Sequence, residues 1–243
     1  MSRTSMVDQT KMNRIFFCGD PHGRFAHIVD AVKAHRPTAV VLLGDLQAQR
    51  PLEQEFASIL TMTEVWWIHG NHDTDSDADY DNLFGSALID RNLHGRIVDV
   101  AGMRIAGLGG VFRGQVWMPP APEKFETPAS YMAHCGKGNL WRGGLSRKHR
   151  SSIFSVDYQR LIGEQADILV THEAPSCHSH GFLAIDELAR NLRVRRAFHG
   201  HHHVPVDYGD QAERLGFAAY GVGYRGIVDQ DGNVIHTEEN EAA

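Results

Sequence analysis

RIFFCGDPHGR, residues 14–24, decides how the rest of the chain is read. After Arg14 come four apolar residues with no polar alternation, the pattern of a strand buried on both faces. Gly19 stops the run, and Asp20, Pro21, His22 and Gly23 make a loop. Phe25, Ile28, Val29 and Val32 then recur at i, i+3, i+4 and i+7, one face of a helix. Pro37 ends it, because the residue before a proline avoids the α region. The unit then repeats. AVVLL (39–43) is a second buried strand opening into GDLQAQRP, residues 52–62 read as helix, and VWWIH (65–69) is a third strand ending in GNHD. Three strand–loop–helix units in succession predict an α/β protein whose mostly parallel sheet is covered by helices.

Further along, residues 96–100 and 103–108 read as a hairpin turning at Ala101-Gly102. Residues 113–150 hold Pro119, Pro120, Pro122 and Pro128 and several glycines, and read as an irregular lid or insert. Residues 157–164 are predicted helical, DILVTH (167–172) a strand, and 184–192 a helix; short strands and turns follow FHGHHH. No repeat or linker divides the 243 residues, so one domain over 1–243 is expected, with 1–13 as a loose polar arm.

The three cysteines, Cys18, Cys135 and Cys177, are odd in number and far apart, which excludes a disulfide framework and points to a reducing, cytoplasmic setting. No run of 18 apolar residues and no charged-then-apolar leader is present, so no membrane span or signal peptide is expected. A net charge of −6 argues against coating nucleic acid by charge alone.

Where the polar residues fall is more telling. Asp20 and His22 follow the first strand, Asp45 the second, and Asn71, His72 and Asp73 the third; His172 closes a later strand, and His199 and His201–His203 end or follow another. In a parallel sheet these strand ends share one edge, where α/β proteins build their sites. Carboxylates and imidazoles without thiolate suit manganese, iron or zinc, and two such ions side by side activate water against a phosphoryl group. A single Gly-Asp pair is more often a turn or helix cap, and a lone buried histidine is usually a hydrogen-bonded core residue. The ordered recurrence is what carries the reading.

Taken in order, Gly19-Asp20-Pro21-His22-Gly23, Gly44-Asp45, Gly70-Asn71-His72, Thr171-His172 and Gly200-His201-His202-His203 resemble the GD-x-HG, GD, GNH, TH and GH-x-H blocks of the calcineurin-like metallophosphoesterases. The resemblance implies a four-layer αββα sandwich, two mixed β-sheets flanked by helices. It implies that Asp20, His22 and His203 bind one divalent ion, Asn71, His172 and His201 a second, and that Asp45 bridges both. Manganese is the first expectation for the pair, with iron or zinc as alternatives. His72 would protonate the leaving oxygen, Asp73 would orient its imidazole, and a metal-bridging hydroxide would be the nucleophile, with no covalent enzyme intermediate. His202 alternates away from its neighbours in an extended segment and is left out of the ligand set, as is His199.

The substrate is less legible. The block GDLQAQR lacks the second Asp-Arg of the protein serine/threonine phosphatases. GDLQA, GLGGVFRG (107–114) and RSSIFSVDYQRL (150–161) are loosely similar to the RNA lariat debranching enzymes, which typically carry cysteine where this chain has Asp20. That similarity points to phosphodiester chemistry rather than to lariat RNA. The insert carries Arg113, Lys124, Lys137, Arg142, Arg147, Lys148 and Arg150 against two acids, with Trp117, Tyr131 and Trp141 interleaved. Such a segment either holds a nucleotide, cations on phosphate and rings on base, or is a solvated loop pinned down by its aromatics. Arg113, Arg142 and Arg147 are the candidate substrate contacts, joined by His178 from the short group Cys177, His178 and His180, which either binds metal or borders the cleft. The expected function is hydrolysis of a small phosphate ester or nucleotide, diester or monoester. The alternatives are a nuclease or debranching-type enzyme on RNA or DNA, and a catalytically silent scaffold.

Overall fold

In the computed structural model, which describes residues 14–238, the elements in chain order are β1 (Ile15–Cys18), α1 (Ala26–His35), β2 (Ala39–Leu43), α2 (Leu52–Glu55), β3 (Glu64–Ile68), α3 (Asp77–Phe84), β4 (Arg96–Val100) and β5 (Met103–Leu108). There follow α4 (Pro128–His134), α5 (Ser155–Gln159), β6 (Ile168–Thr171), α6 (Leu183–Asn191), β7 (Arg196–His199), β8 (Val206–Asp207), α7 (Ala212–Leu215), β9 (Ala218–Gly221), β10 (Ile227–Asp229) and β11 (Val234–His236). The expected N-terminal arm, residues 1–13, lies outside the described residues.

Strand β1 explains why the strands read as apolar throughout. Successive side chains of a strand point to opposite faces. Ile15 and Phe17 enter one core with Ala39, Val41, Leu43 and Ile68, while Phe16 and Cys18 enter another with Val40, Leu42 and Trp67. The first core lies between two sheets, because it also takes Ile105, Ile168, Val170 and Phe198 from the second half of the chain. Phe17 and Phe198 stack across it with ring centroids 4.0 Å apart. The second core is covered by Ile28 and Val32 of α1 with Leu52, Phe56 and Ile59. On the far side, Leu108, Leu169, Ala197 and Ala219 pack under Ile185, Leu188 and Ala189 of α6. Helix, sheet, sheet, helix is the four-layer sandwich.

Both sheets are mixed. One runs β11-β10-β1-β2-β3, with β1, β2 and β3 parallel and β10 and β11 antiparallel additions; the other runs β4-β5-β6-β7-β9-β8, with β5, β6, β7 and β9 parallel between antiparallel edge strands. The single sheet suggested by the βαβ pattern is thus two. Strand β10 arrives from the far C-terminal part of the chain to pair with β1.

Three local expectations shift. The predicted helix over 52–62 is regular only as α2; beyond it, i→i+3 and i→i+4 bonds alternate (Ile59 N–H and Leu60 N–H both reach Phe56 O), although Leu52, Phe56 and Ile59 still bury as patterned. The insert is not wholly irregular: Thr127 and Ser130 form a capping box on α4, with Pro128 at its first position. Residues 212–215, in the stretch after FHGHHH expected to hold only short strands and turns, form α7. The hairpin β4–β5 turns where expected, with Ala101 and Gly102 both at positive φ, as a type I′ turn requires. Among the described residues no helix is long and apolar enough to cross a membrane.

Candidate metal centre

The parallel strands deliver their C-terminal ends, from both sheets, to one place. The loop after β1 brings Asp20 and His22, that after β2 brings Asp45, and that after β3 brings Asn71 and His72. His172 follows β6, and His201 and His203 follow β7. Leaving aside His72, five of the seven candidate ligands, Asp20, His22, Asp45, His201 and His203, sit at positive φ. Non-glycine residues rarely adopt that region, and such strain clusters at functional sites. Two glycines make the convergence possible. A Cβ on Gly44 would lie 2.5 Å from His172 Nδ1, and one on Gly70 would strike the Asp45 carboxylate.

The polar atoms face one another with too few protons among them. His172 Nδ1–H donates to Leu43 O at 2.8 Å, so its Nε2 lone pair faces Asn71 Oδ1 at 3.2 Å and Asp45 Oδ2 at 3.3 Å. His22 Nδ1 is engaged by the Gln47 side-chain oxygen at 2.6 Å, and its Nε2 lies 3.0 Å from His203 Nε2. Both Asp20 oxygens are buried without a hydrogen-bond partner. Buried carboxylate oxygens without a partner, with imidazole nitrogens crowded around them, call for a cation. Ligand atoms of His22, Asp45 and His203 lie within 4.8 Å of one another, as do those of Asp45, His172 and His201, and those of Glu173, His201 and His202. The residues therefore fit divalent ions.

The protonation states say the same. Burial pushes the Asp20 carboxyl up to about 7, against the lowering pull of His172. Burial would also raise Asp45, but the charge and hydrogen bond of His172 outweigh it and hold Asp45 low. Burial works against a proton on His172 as well, yet Asp45 and Asp20 raise it to about 10. A bound divalent ion would supply the positive charge that the carboxylates otherwise draw from a protonated His172.

His72 lies at the rim. Its backbone N–H donates to Asp45 Oδ1 at 2.8 Å, and its Nδ1 meets Asp75 Oδ2 at 2.6 Å. Burial lowers its pKa, but the Asp75 hydrogen bond and the Asp45 charge raise it above the usual imidazole value. The expectation that Asp73 orients this ring is corrected. Asp73 is fully buried and accepts from Gly70 N–H at 2.7 Å and Gln47 N–H at 2.8 Å, tying the loop after β3 to the loop after β2. Asp75, with Gln47 and Glu173, is what the sequence reading missed, and Lys148 figures in it only as one of the insert's cations. For Asp75 a signal existed, since His72 and Asp75 are separated by one turn of a 3₁₀ helix.

The expected substrate contacts separate. Arg113 and Arg147 line a cavity of about 300 Å³ with Asn71, Thr74, Asp75 and Lys148. Arg142 does not line it; its guanidinium closes on Asp81 and Asp77 of α3 and lies over the Trp141 ring, pinning the insert down. His178 stacks on His202 at 3.8 Å, so His202 turns away from the two Asp45 groups.

The sequence profile of the calcineurin-like phosphoesterases matches residues 13–205. An uncharacterized protein of Haemophilus influenzae is 42% identical over 221 residues, covering 91% of this chain and 96% of its own. Among solved structures, TT1561 of Thermus thermophilus superposes with a TM-score of 0.54 at 13% identity, over 92% of this chain and 97% of that one, a likeness of fold. The chain belongs to the calcineurin-like phosphoesterase family.

Proposed function

We propose that the chain hydrolyses phosphate esters with two divalent cations, one held by Asp20, His22 and His203, the other by Asn71, His172 and His201, and both by Asp45. One observation carries this. The Asp45 carboxylate belongs at once to the group with His22 and His203 and to the group with His172 and His201. A carboxylate shared between two ligand sets is what a pair of neighbouring ions requires. When bound, such ions supply Lewis acidity toward phosphoryl oxygens and acidify water near neutral pH. Imidazole with carboxylate and amide oxygen suits manganese, iron or zinc, and manganese is the first to load.

The remaining steps fall to side chains. With Nδ1 engaged by Asp75, His72 keeps Nε2 to give a proton to the leaving oxygen, and its raised pKa keeps that proton available near neutral pH. Asp73 holds the two loops that carry Asp45 and Asn71 at a fixed separation. Because ligands come from both sheets, we take the chain as one catalytic unit. The three free cysteines favour a cytoplasmic setting. The ion pairs of Arg142 and Arg147 with Asp77 and Asp81 reduce the cationic surface that a nuclease would need.

Turnover of bis-p-nitrophenyl phosphate and p-nitrophenyl phosphate by manganese-loaded protein tests the proposal. Cleavage of either, with most turnover lost and metal kept in His72→Ala, supports it. Cleavage of neither with manganese, iron or zinc overturns it in favour of a scaffold.

A further inference from the structure

The 300 Å³ cavity beside the metal centre has a composition that water alone does not explain. At one end are Asn71, a candidate ligand, and Asp75, which holds the His72 imidazole. The cavity therefore adjoins the candidate metal centre and the carboxylate that engages His72. Its other walls bring three cations. Arg147 is balanced by Asp77, and Asp75 by His72. Arg113 and Lys148 have no carboxylate at ion-pair distance among the described residues. Arg113 is half-buried, its Nη1 fixed by the hydroxyls of Ser151 at 3.2 Å and Ser152 at 3.3 Å, and the nearby Glu173 Oε1 is already taken by Phe112 N–H at 2.9 Å. Burial pulls the Arg113 pKa down by more than the charges of Glu173, Asp75 and Asp45, none of them at ion-pair distance, raise it. His149, packed behind, is lowered to about 4 by burial and then by the charges of Arg113 and Lys148.

A half-buried guanidinium that is held by hydroxyls, lacks a counter-ion and lines a cavity is arranged for an anion from outside the chain. We infer that the cavity lined by Arg113 and Lys148 binds a second phosphate, carried by the leaving group of the ester cleaved at the metal centre. This rests on the hydrolase reading above. Water adds its oxygen to the phosphorus at the centre and releases one proton to solvent, the bond to the leaving oxygen breaks, and the proton from His72 goes to that oxygen; the departing group keeps its own phosphate in the cavity. That second phosphate is joined either directly, as in a diphosphate, where the bond cleaved is a phosphoanhydride, or through a sugar, as in a nucleoside bisphosphate, where it is an ester.

Three substrates separate these sources. In ADP the leaving group is AMP through a diphosphate bond, in adenosine 3′,5′-bisphosphate it is a phosphorylated ribose, and in AMP it is uncharged adenosine. With manganese-loaded protein, kcat/KM for one of the first two should exceed that for AMP by about tenfold or more, the worth of one or two charge-assisted hydrogen bonds. That ratio should collapse in Arg113→Met and in Lys148→Ala, the second being an exposed residue whose loss leaves the fold intact. A ratio near one in the unaltered protein, or variants that slow AMP as much as the others, overturns the inference. If no ester is cleaved at all, the hydrolase reading fails separately, and the subsite is decided by inorganic pyrophosphate titrated into metal-free protein. Binding weakened about tenfold or more in Arg113→Met and Lys148→Ala upholds the subsite, and equal affinity in all three proteins removes it.

Discussion

Replacing Asp75 by asparagine isolates what this chain adds to the His72 step. The contact between His72 Nδ1 and Asp75 Oδ2 is 2.6 Å, a charge-assisted bond of a kind worth about 1.5–3 kcal/mol when shielded. Here the two side chains are 45% and 55% exposed, so solvent screens the pair and about 1 kcal/mol is the better figure. Since about 1.4 kcal/mol is tenfold in rate, Asp75→Asn should lower kcat roughly fivefold with KM nearly steady. The pH profile moves too. Asp75 is a cause that raises the His72 pKa against burial, so without it the imidazole loses its proton at lower pH. The general acid acts while protonated, and the alkaline limb of kcat therefore shifts toward acid. Initial rates on bis-p-nitrophenyl phosphate with saturating manganese, across the pH range of imidazole titration, read both effects. An unmoved alkaline limb in Asp75→Asn, or a shift produced by Asp73→Asn instead, would refute the reasoning.

Other perturbations reach the scaffold and the ions. Asp73→Ala leaves the Gly70 and Gln47 N–H groups without their acceptor and should cost about 2–4 kcal/mol, read as a fall of several degrees in Tm. Gly70→Ala drives a methyl into the Asp45 carboxylate and backbone N and against His172, and should reduce bound manganese and Tm together, as metal analysis and circular dichroism will show. Manganese should raise Tm roughly with the logarithm of its concentration above Kd, and more at neutral pH than at about pH 5. Asp20 titrates near 7 without metal and must shed its proton to bind, so affinity climbs as pH rises toward that value. Chelation should reverse the gain.

The candidate ligands were legible because each follows an unmistakably buried strand, and a parallel strand delivers its C-terminal end to a common edge. That rule needs no knowledge of whether one sheet or two supplies the strands, so the site is readable from the strand pattern alone, whereas the two sheets are legible only through the family resemblance. Strand β1 is apolar on both faces whether it is covered by two helix layers or by one helix layer and a second sheet. Asp73 and Asp75 show a different limit. Adjacency in sequence pairs Asp73 with His72, yet the segment 72–74 is a 3₁₀ turn, in which side chains i and i+3 eclipse and i+1 points away. Asp73 thereby meets Gly70 and Gln47, and Asp75 meets the ring. Arg142 reads as available because its acids, Asp77 and Asp81, lie more than sixty positions upstream. Helix α4 is hidden by Pro128, which reads as a loop former although a proline at the first helical position is a start signal.

Anomalous diffraction at the manganese edge, from crystals grown with the ion, bears on the central claim most directly. Two adjacent peaks are predicted, flanking the Asp45 carboxylate, one against Asp20, His22 and His203 and the other against Asn71, His172 and His201. No peak there, or a lone peak at Glu173 and His202, would contradict the account.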